Sequence, residues 1–189
     1  PICGRLFKPH VTTENRPLDW RAYANCAIEP EMVVMIGEDL YGEHLPDEEL
    51  IASIAYVSAG LELHDYKFWH GSPSAQELIC SGGIHSGLIV GHEKVPATAL
   101  SFTEELFSVY KNDCLVASSL ASEIMGGPLE SLRWLVSFLS QKGGYLPAGS
   151  LVIPGSPTEL IEINHDVKIK VAVEHVGELT VAFQSPLSY

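Results

Sequence analysis

The stretch CAIEPEMVVMI, residues 26–36, sets the hardest condition that this chain must meet in folding. Val33, Val34 and Ile36 favour a strand, and Gly37, Glu38 and Asp39 supply the residues that end one. Glu29 and Glu31 stand two apart on that strand, so both side chains leave from one face. Two carboxylates a few ångströms apart repel each other, and burying them raises a pKa or costs stability. A hard divalent cation such as Mg²⁺ or Mn²⁺ removes the conflict and favours an all-oxygen ligand set. Taken alone the pair has a second reading, because acidic pairs also face solvent on edge strands.

A third carboxylate narrows the choice. Glu62, in GLELHDYKFW, lies between apolar Leu61 and Leu63 on the next β-like segment, where an unpaired acid is unfavourable. His64 shares its face on a regular strand, either as a further metal-site residue, as a partner to a ligand, or as a surface histidine. Asp65 points the other way, toward the following turn and Lys67.

Composition limits what such a site can serve. The 189 residues, 46% hydrophobic and 19% charged, are enough for one compact core and argue against disorder. No apolar run reaches the ~18 residues that span a bilayer, so no membrane partner is expected. The net charge of −13 argues against nucleic acid, whose phosphates it would repel. It also disfavours an anionic substrate unless a cation neutralises the site locally. Cys3, Cys26, Cys80 and Cys114 show no C-x-x-C spacing, which points away from a zinc ribbon and toward buried thiols in a reducing cytoplasm.

Along the chain, residues 1–24 read as an irregular lead-in and 25–189 as a single metal-binding domain. The segment 45–57 predicts a helix, with Asp47 as cap and Leu50, Ile51, Ile54 and Val57 at helical spacing. A strand over 59–65 follows, then a turn-rich stretch over 70–83 and strands over 84–90 and 99–109. Pro128 opens a second helix that Gly143 and Gly144 close. Strands over 151–153, 167–173 and 178–183 finish the chain, the last two joined as a hairpin through HVGE. Two main helices among many strands give a β-rich α+β fold.

These blocks, in this order, resemble the fumarylacetoacetate hydrolase superfamily, on its branch of 2-keto-4-pentenoate hydratases and 2-oxohex-3-enedioate decarboxylases. CAIEPEMVVMIGEDL is similar to the segment bearing two metal-binding acids. GLELHDYK is similar to A-(Leu/Ile)-Glu-(Ile/Val)-Val-Asp-Ser-Arg, which bears the third. IHSGLIVG resembles the strand G-(Ile/Ala)-H-(Ala/Ser)-G-x-(Val/Ile)-(Leu/Val)-G, and residues 116–159 resemble the long block that ends in G-D-x-(Val/Ile)-x-x-G-S.

The resemblance implies a mixed β-roll with Mg²⁺ or Mn²⁺ held by Glu29, Glu31 and Glu62 in a central cleft. There the metal would chelate a small 2-oxo acid for hydration of a 2-hydroxydienoate or decarboxylation of a 2-oxo enoate. Gly155, Ser156 and Thr158 match the substrate-side loop, although PGSPTE reads equally as a turn between strands. A homo-oligomer is implied as well.

Several matching positions depart from the pattern. Ser81-Gly82 stands where the family has Asp-Asn, Ser119-Leu120-Ala121 where it has Gly-Arg-Gly, and Gly71-Ser72 where a lysine is expected. A further lysine belongs to a family segment that precedes the stretch opened by Pro1. Lys67, at the family's arginine position, is the nearest replacement cation, and His64, His70 and His85 are candidate acids or bases. The altered proton-transfer set leaves two alternatives beside the lyase. One is a noncatalytic or partner-dependent subunit that binds metal and oxo acid. The other is a C–C hydrolase of the acylpyruvate type.

Overall fold

The structure is a computed structural model and describes residues 1–13, 16–67 and 73–185. Ten strands carry the fold: β1 (Val11–Thr12), β2 (Cys26–Ile36), β3 (Ile54–Asp65), β4 (His85–Val90), β5 (Leu106–Lys111), β6 (Cys114–Leu120), β7 (Leu151–Val152), β8 (Ile161–Glu162), β9 (Val167–Val173) and β10 (Gly177–Phe183). Three helices accompany these ten strands among the described residues: α1 (Asp47–Ala52), α2 (Ala75–Cys80) and α3 (Pro128–Gln141). A mixed six-stranded sheet runs β1-β4-β3-β2-β7, with β8 also paired to β2, and a four-stranded sheet runs β10-β9-β5-β6. The β1–β4 pair is parallel and every other ladder is antiparallel. The result is the expected β-rich mixed roll.

Strand periodicity divides β2 and β3 into two faces. Ile28, Met32, Val34 and Ile36 on β2, with Val57, Ala59, Leu61 and Leu63 on β3, enter the main core. That core also takes Phe107, Val109, Ile169, Val171, Val181 and Phe183 from the four-stranded sheet. Each such side chain contributes about 1.5–3 kcal/mol on burial, which fixes the register of the central pair. The other face bears Glu29, Glu31 and Val33 opposite Glu62, Gly60 and Ser58. Val33, Leu88 and Val90 form a smaller cluster, against which Leu6 and Val11 of the lead-in and Leu151 and Ile153 pack. The carboxylates therefore occupy the side of the sheet turned away from the main core.

Several local expectations give way to tertiary structure. The helix expected over 45–57 stops at Ala52, and Ile54 and Val57 belong to β3 instead. Pairing Val57 with Val34 in the sheet core outweighs a helical spacing only a few residues long. The stretch 99–109 is a strand only from Leu106, because Ala97–Ala99 forms a 3₁₀ turn. Part of the turn-rich 70–83 segment is α2, nucleated by a capping box between Ser74 and Glu77. Strand β6 was not expected; Asn112 and Asp113, both with positive φ, form the tight turn that folds it onto β5. The lead-in contains β1 and two 3₁₀ turns, and Leu18 bridges to Phe183. Of the four cysteines, all unpaired, Cys26 alone is buried, contrary to the expectation of buried thiols. Among the described residues no helix is long and apolar enough to cross a membrane.

Gly60 allows β2 and β3 to approach beneath the acidic face, since an added Cβ there would run into Cγ2 of the stiff Val33 side chain. Gly60→Ala is expected to cost about 1–3 kcal/mol, as overpacking typically does, and to lower the thermal midpoint. A circular dichroism melt indistinguishable from that of the unaltered chain would contradict this.

Candidate metal centre

The β2–β3 register sets Glu29 directly opposite Glu62 and Glu31 opposite Gly60. Like charges in directly opposed positions destabilise a sheet, and here a third carboxylate joins them. Glu31 is fully buried and Glu62 is 7% exposed. The Glu29 side chain keeps 22% of its surface, so the cluster opens toward solvent on its side. Neither oxygen of Glu31 has a hydrogen-bond partner in normal geometry.

Two histidines complete the cluster. His64 Nε2 lies 3.2 Å from Glu29 Oε2 and 3.6 Å from Glu62 Oε2. His85 Nδ1 lies 2.7 Å from Glu62 Oε1. The two histidines are paired in register across β3 and β4, just past a bulge at Leu63/His64. Ile84, immediately before β4, has a φ of 59°, a left-handed conformation unfavourable for a β-branched residue. The bulge and this strained residue set His85 beside His64 on the acidic face. The same-face placement of His64 was legible from i, i+2 spacing, whereas the His85–Glu62 contact depends on strand pairing.

Burial, followed by the charges of Glu62 and Glu29, raises the pKa of Glu31 well above the ordinary carboxylate range, and the Gly155 backbone N–H only partly offsets this. For His64, burial alone would lower the pKa, but the Glu29 hydrogen bond and the charges of Glu62 and Glu29 together outweigh it and raise it. Burial and then Asp65 push the nearby Cys26 thiol up to about 12, which leaves it unreactive. Asp65 itself accepts hydrogen bonds from the backbone N–H groups of Ala24 and Asn25, and so ties the lead-in to the end of β3.

One ligand atom each from Glu29, Glu62 and His64 lies within 4.8 Å of the others, a spacing suited to one cation. Glu31 is not in that group, but its charge coupling to both acids and its unpaired oxygens place it beside the group. Oxygen donors predominate, a buried carboxylate lacks a partner, and net negative charge is concentrated there. These residues fit a hard divalent cation.

The 154–158 loop reaches the same place from another direction. Ser131 Oγ on α3 donates to the Pro154 carbonyl at 2.6 Å, and Gly155, with a φ of 116°, brings its N–H toward Glu31. The Ser156 and Thr158 hydroxyls lie 3.2 Å apart. Thr158 also lines an open groove of about 640 Å³ with Lys111, Ser118 and Ser119. Another groove, of about 460 Å³ and lined by Glu93, Leu106 and His175 among others, includes none of the clustered acids. Lys67 is exposed just beyond β3. His70, Gly71 and Ser72 lie outside the described residues.

The chain is similar to several known proteins. A 4-oxalocrotonate decarboxylase from a Pseudomonas species is 27% identical over 179 residues, covering 95% of this chain and 69% of that protein. A 2-hydroxyhexa-2,4-dienoate hydratase from Comamonas testosteroni is 22% identical over 155 residues, covering 82% of this chain and 59% of that enzyme. The solved structure of 4-oxalocrotonate decarboxylase from Pseudomonas putida G7, complexed with magnesium and adipate, matches with a TM-score of 0.88 at 20% identity. That match covers 95% of this chain and 68% of that one. No family model matches the chain. The relatives are enzymes of the branch that the sequence motifs resemble.

The two raised pKa values act on stability in the same direction. Above the ordinary Glu value of 4.5 the folded chain retains a proton on Glu31 that the unfolded chain has lost, so stability falls as pH rises. The contribution of protonated His64 is complete below its ordinary value of 6.5 and is lost as pH rises through the folded value. Metal-free protein is therefore expected to lose resistance to urea as pH rises above the ordinary Glu value of 4.5 and on past the ordinary His value of 6.5, and Glu31→Gln to flatten that slope. Urea melts of both chains in chelator provide the check, and parallel slopes would refute it.

Proposed function

From this kinship with the hydratases and decarboxylases of the fumarylacetoacetate hydrolase superfamily, we propose that the chain is a divalent-metal-dependent lyase of small 2-oxo acids. Its reaction is hydration of a 2-hydroxydienoate or decarboxylation of a 2-oxo enoate. The observation that carries the reading is the fully buried Glu31 carboxylate, which among the described residues has no well-formed hydrogen bond, beside the opposed pair Glu29 and Glu62. Glu29, Glu31 and Glu62 hold Mg²⁺ or Mn²⁺. When bound, the cation supplies positive charge to the carboxylate and carbonyl oxygens of the 2-oxo acid.

The other site residues act on the substrate directly. Gly155 permits close backbone approach, and the Ser156 and Thr158 hydroxyls donate to substrate oxygens. Lys67 takes the proton-transfer role of the family lysine in whose place this sequence has Gly71-Ser72. The four unpaired cysteines suit a reducing cytoplasm. A homo-oligomer is part of the reading, supported by β6, a sheet edge that exposes Leu115, Val116 and Leu120.

Calorimetry with oxaloacetate or pyruvate is expected to show binding with Mg²⁺ or Mn²⁺ present and none in chelator. Glu29→Gln should weaken metal binding, and Lys67→Ala should leave it intact while lowering turnover by about 10²–10⁴-fold. Equal oxo-acid affinity with and without metal would refute the site, and full turnover in Lys67→Ala would clear that residue. Metal-dependent binding without turnover of any oxo acid would favour the partner-dependent subunit. Light scattering at micromolar concentration is expected to give a multiple of 20.6 kDa, and a monomer mass would remove the oligomer.

A further inference from the structure

Resting on the metal reading above, the geometry points to His64 as a direct nitrogen ligand of the cation, so that the centre is a mixed carboxylate–imidazole site and not an all-oxygen one. His64 occupies the position that carries Val in the motif this strand resembles, so the substitution puts a donor where an apolar side chain would offer none. Its side chain is 3% exposed, and its Nε2 stands between two carboxylate oxygens at 3.2 and 3.6 Å. Ligands at right angles around a cation with bonds of about 2.1 Å lie about 3.0 Å apart, close to the first separation and shorter than the second. A hydrogen bond to Glu29 and an ion pair with Glu62 hold the ring there without metal, and the same approach gathers one donor atom from each of the three residues within reach of a single cation.

The remaining contacts leave the coordinating atoms available. Glu62 accepts from His85 through Oε1 and turns Oε2 toward His64, so its two oxygens are divided between an orienting partner and the cluster. On the far side of the His64 ring, Nδ1 is buried without a partner in normal geometry, and the Ile84 carbonyl is the backbone acceptor acting on the ring. A proton carried on Nδ1 leaves the Nε2 lone pair for the metal, the usual arrangement of a ligating histidine. The strained φ of Ile84 and the bulge at Leu63/His64 bring ring and carbonyl together. An imidazole nitrogen shifts a site toward Mn²⁺ and later first-row metals relative to Mg²⁺, which prefers oxygen.

Pulsed electron paramagnetic resonance on Mn²⁺-loaded protein with ¹⁵N-labelled histidine tests the assignment without reference to activity. The expected spectrum shows the hyperfine coupling of one directly bound nitrogen, absent in His64→Val and retained in His85→Gln. A Mn²⁺-loaded protein without nitrogen coupling overturns this inference while leaving the carboxylate site standing. Loss of the coupling in His85→Gln but not in His64→Val also overturns it. Failure of Mn²⁺ to bind at all removes the metal reading together with it. Competition titrations give a second readout: His64→Val should lower Ni²⁺ affinity about tenfold or more and Mg²⁺ affinity by less. Equal loss for both ions means a merely structural histidine. Should His64→Val fail to fold, His64→Gln keeps similar reach and replaces it in both measurements.

Discussion

Repulsion between carboxylates held at fixed strand spacing governs this molecule. Glu29 and Glu62 face each other across one rung of the β2–β3 ladder, and Glu31 is fully buried next to them. The hydrophobic alternation on the opposite face locks that rung, because slipping by one residue would turn Met32, Val34, Leu61 and Leu63 out of the core. The acids cannot separate without unmaking the main core. Histidines from β3 and β4 relieve part of the conflict, while among the described residues neither oxygen of Glu31 has a well-formed hydrogen bond. A proton on Glu31 relieves the remainder in the metal-free chain, and a hard divalent cation fits the same donors.

Much of the surrounding structure serves that rung. Gly60 removes a side chain where β2 and β3 approach, and Gly155 carries the 154–158 loop toward Glu31 at a φ that most residues avoid. Helix α3 anchors the same loop through Ser131, and Arg133 on α3 binds the Leu45 carbonyl and pairs with Asp47 and Glu130, which fastens α3 to the start of α1. The lead-in packs Leu6 and Val11 onto the Val33 cluster on the acidic side of the sheet and is tied to the end of β3 where Ala24 N–H donates to Asp65. Strain at Ile84 is tolerated because ladders on both sides hold β3 and β4 in place.

Local sequence signals succeeded where one interaction range dominated. Pro128 and the Gly143-Gly144 pair bounded α3 correctly, and the HVGE turn joined β9 to β10 as read. They failed where two ranges competed. Helical spacing from Leu50 to Val57 was real in the sequence, but only its first half became α1, since sheet pairing claimed the rest. The Ser74–Glu77 capping box and the Asn112–Asp113 turn were present as signals. A short helix and an exposed edge strand lack the long apolar pattern that would have made them stand out.

The sequence by itself determined that two acids share one face of an apolar strand, that a third lies on the following strand, and that a net charge of −13 argues against nucleic acid. Those properties follow from period-two geometry and from charge, which need no knowledge of neighbours. Only the tertiary structure decided that Glu29 opposes Glu62, that Glu31 is sealed from solvent, and that His64 and His85 converge on the same carboxylates. Each of those depends on strand register and on a bulge between β3 and β4. Register is set by the packing of many residues at once, so no short stretch of the chain encodes it.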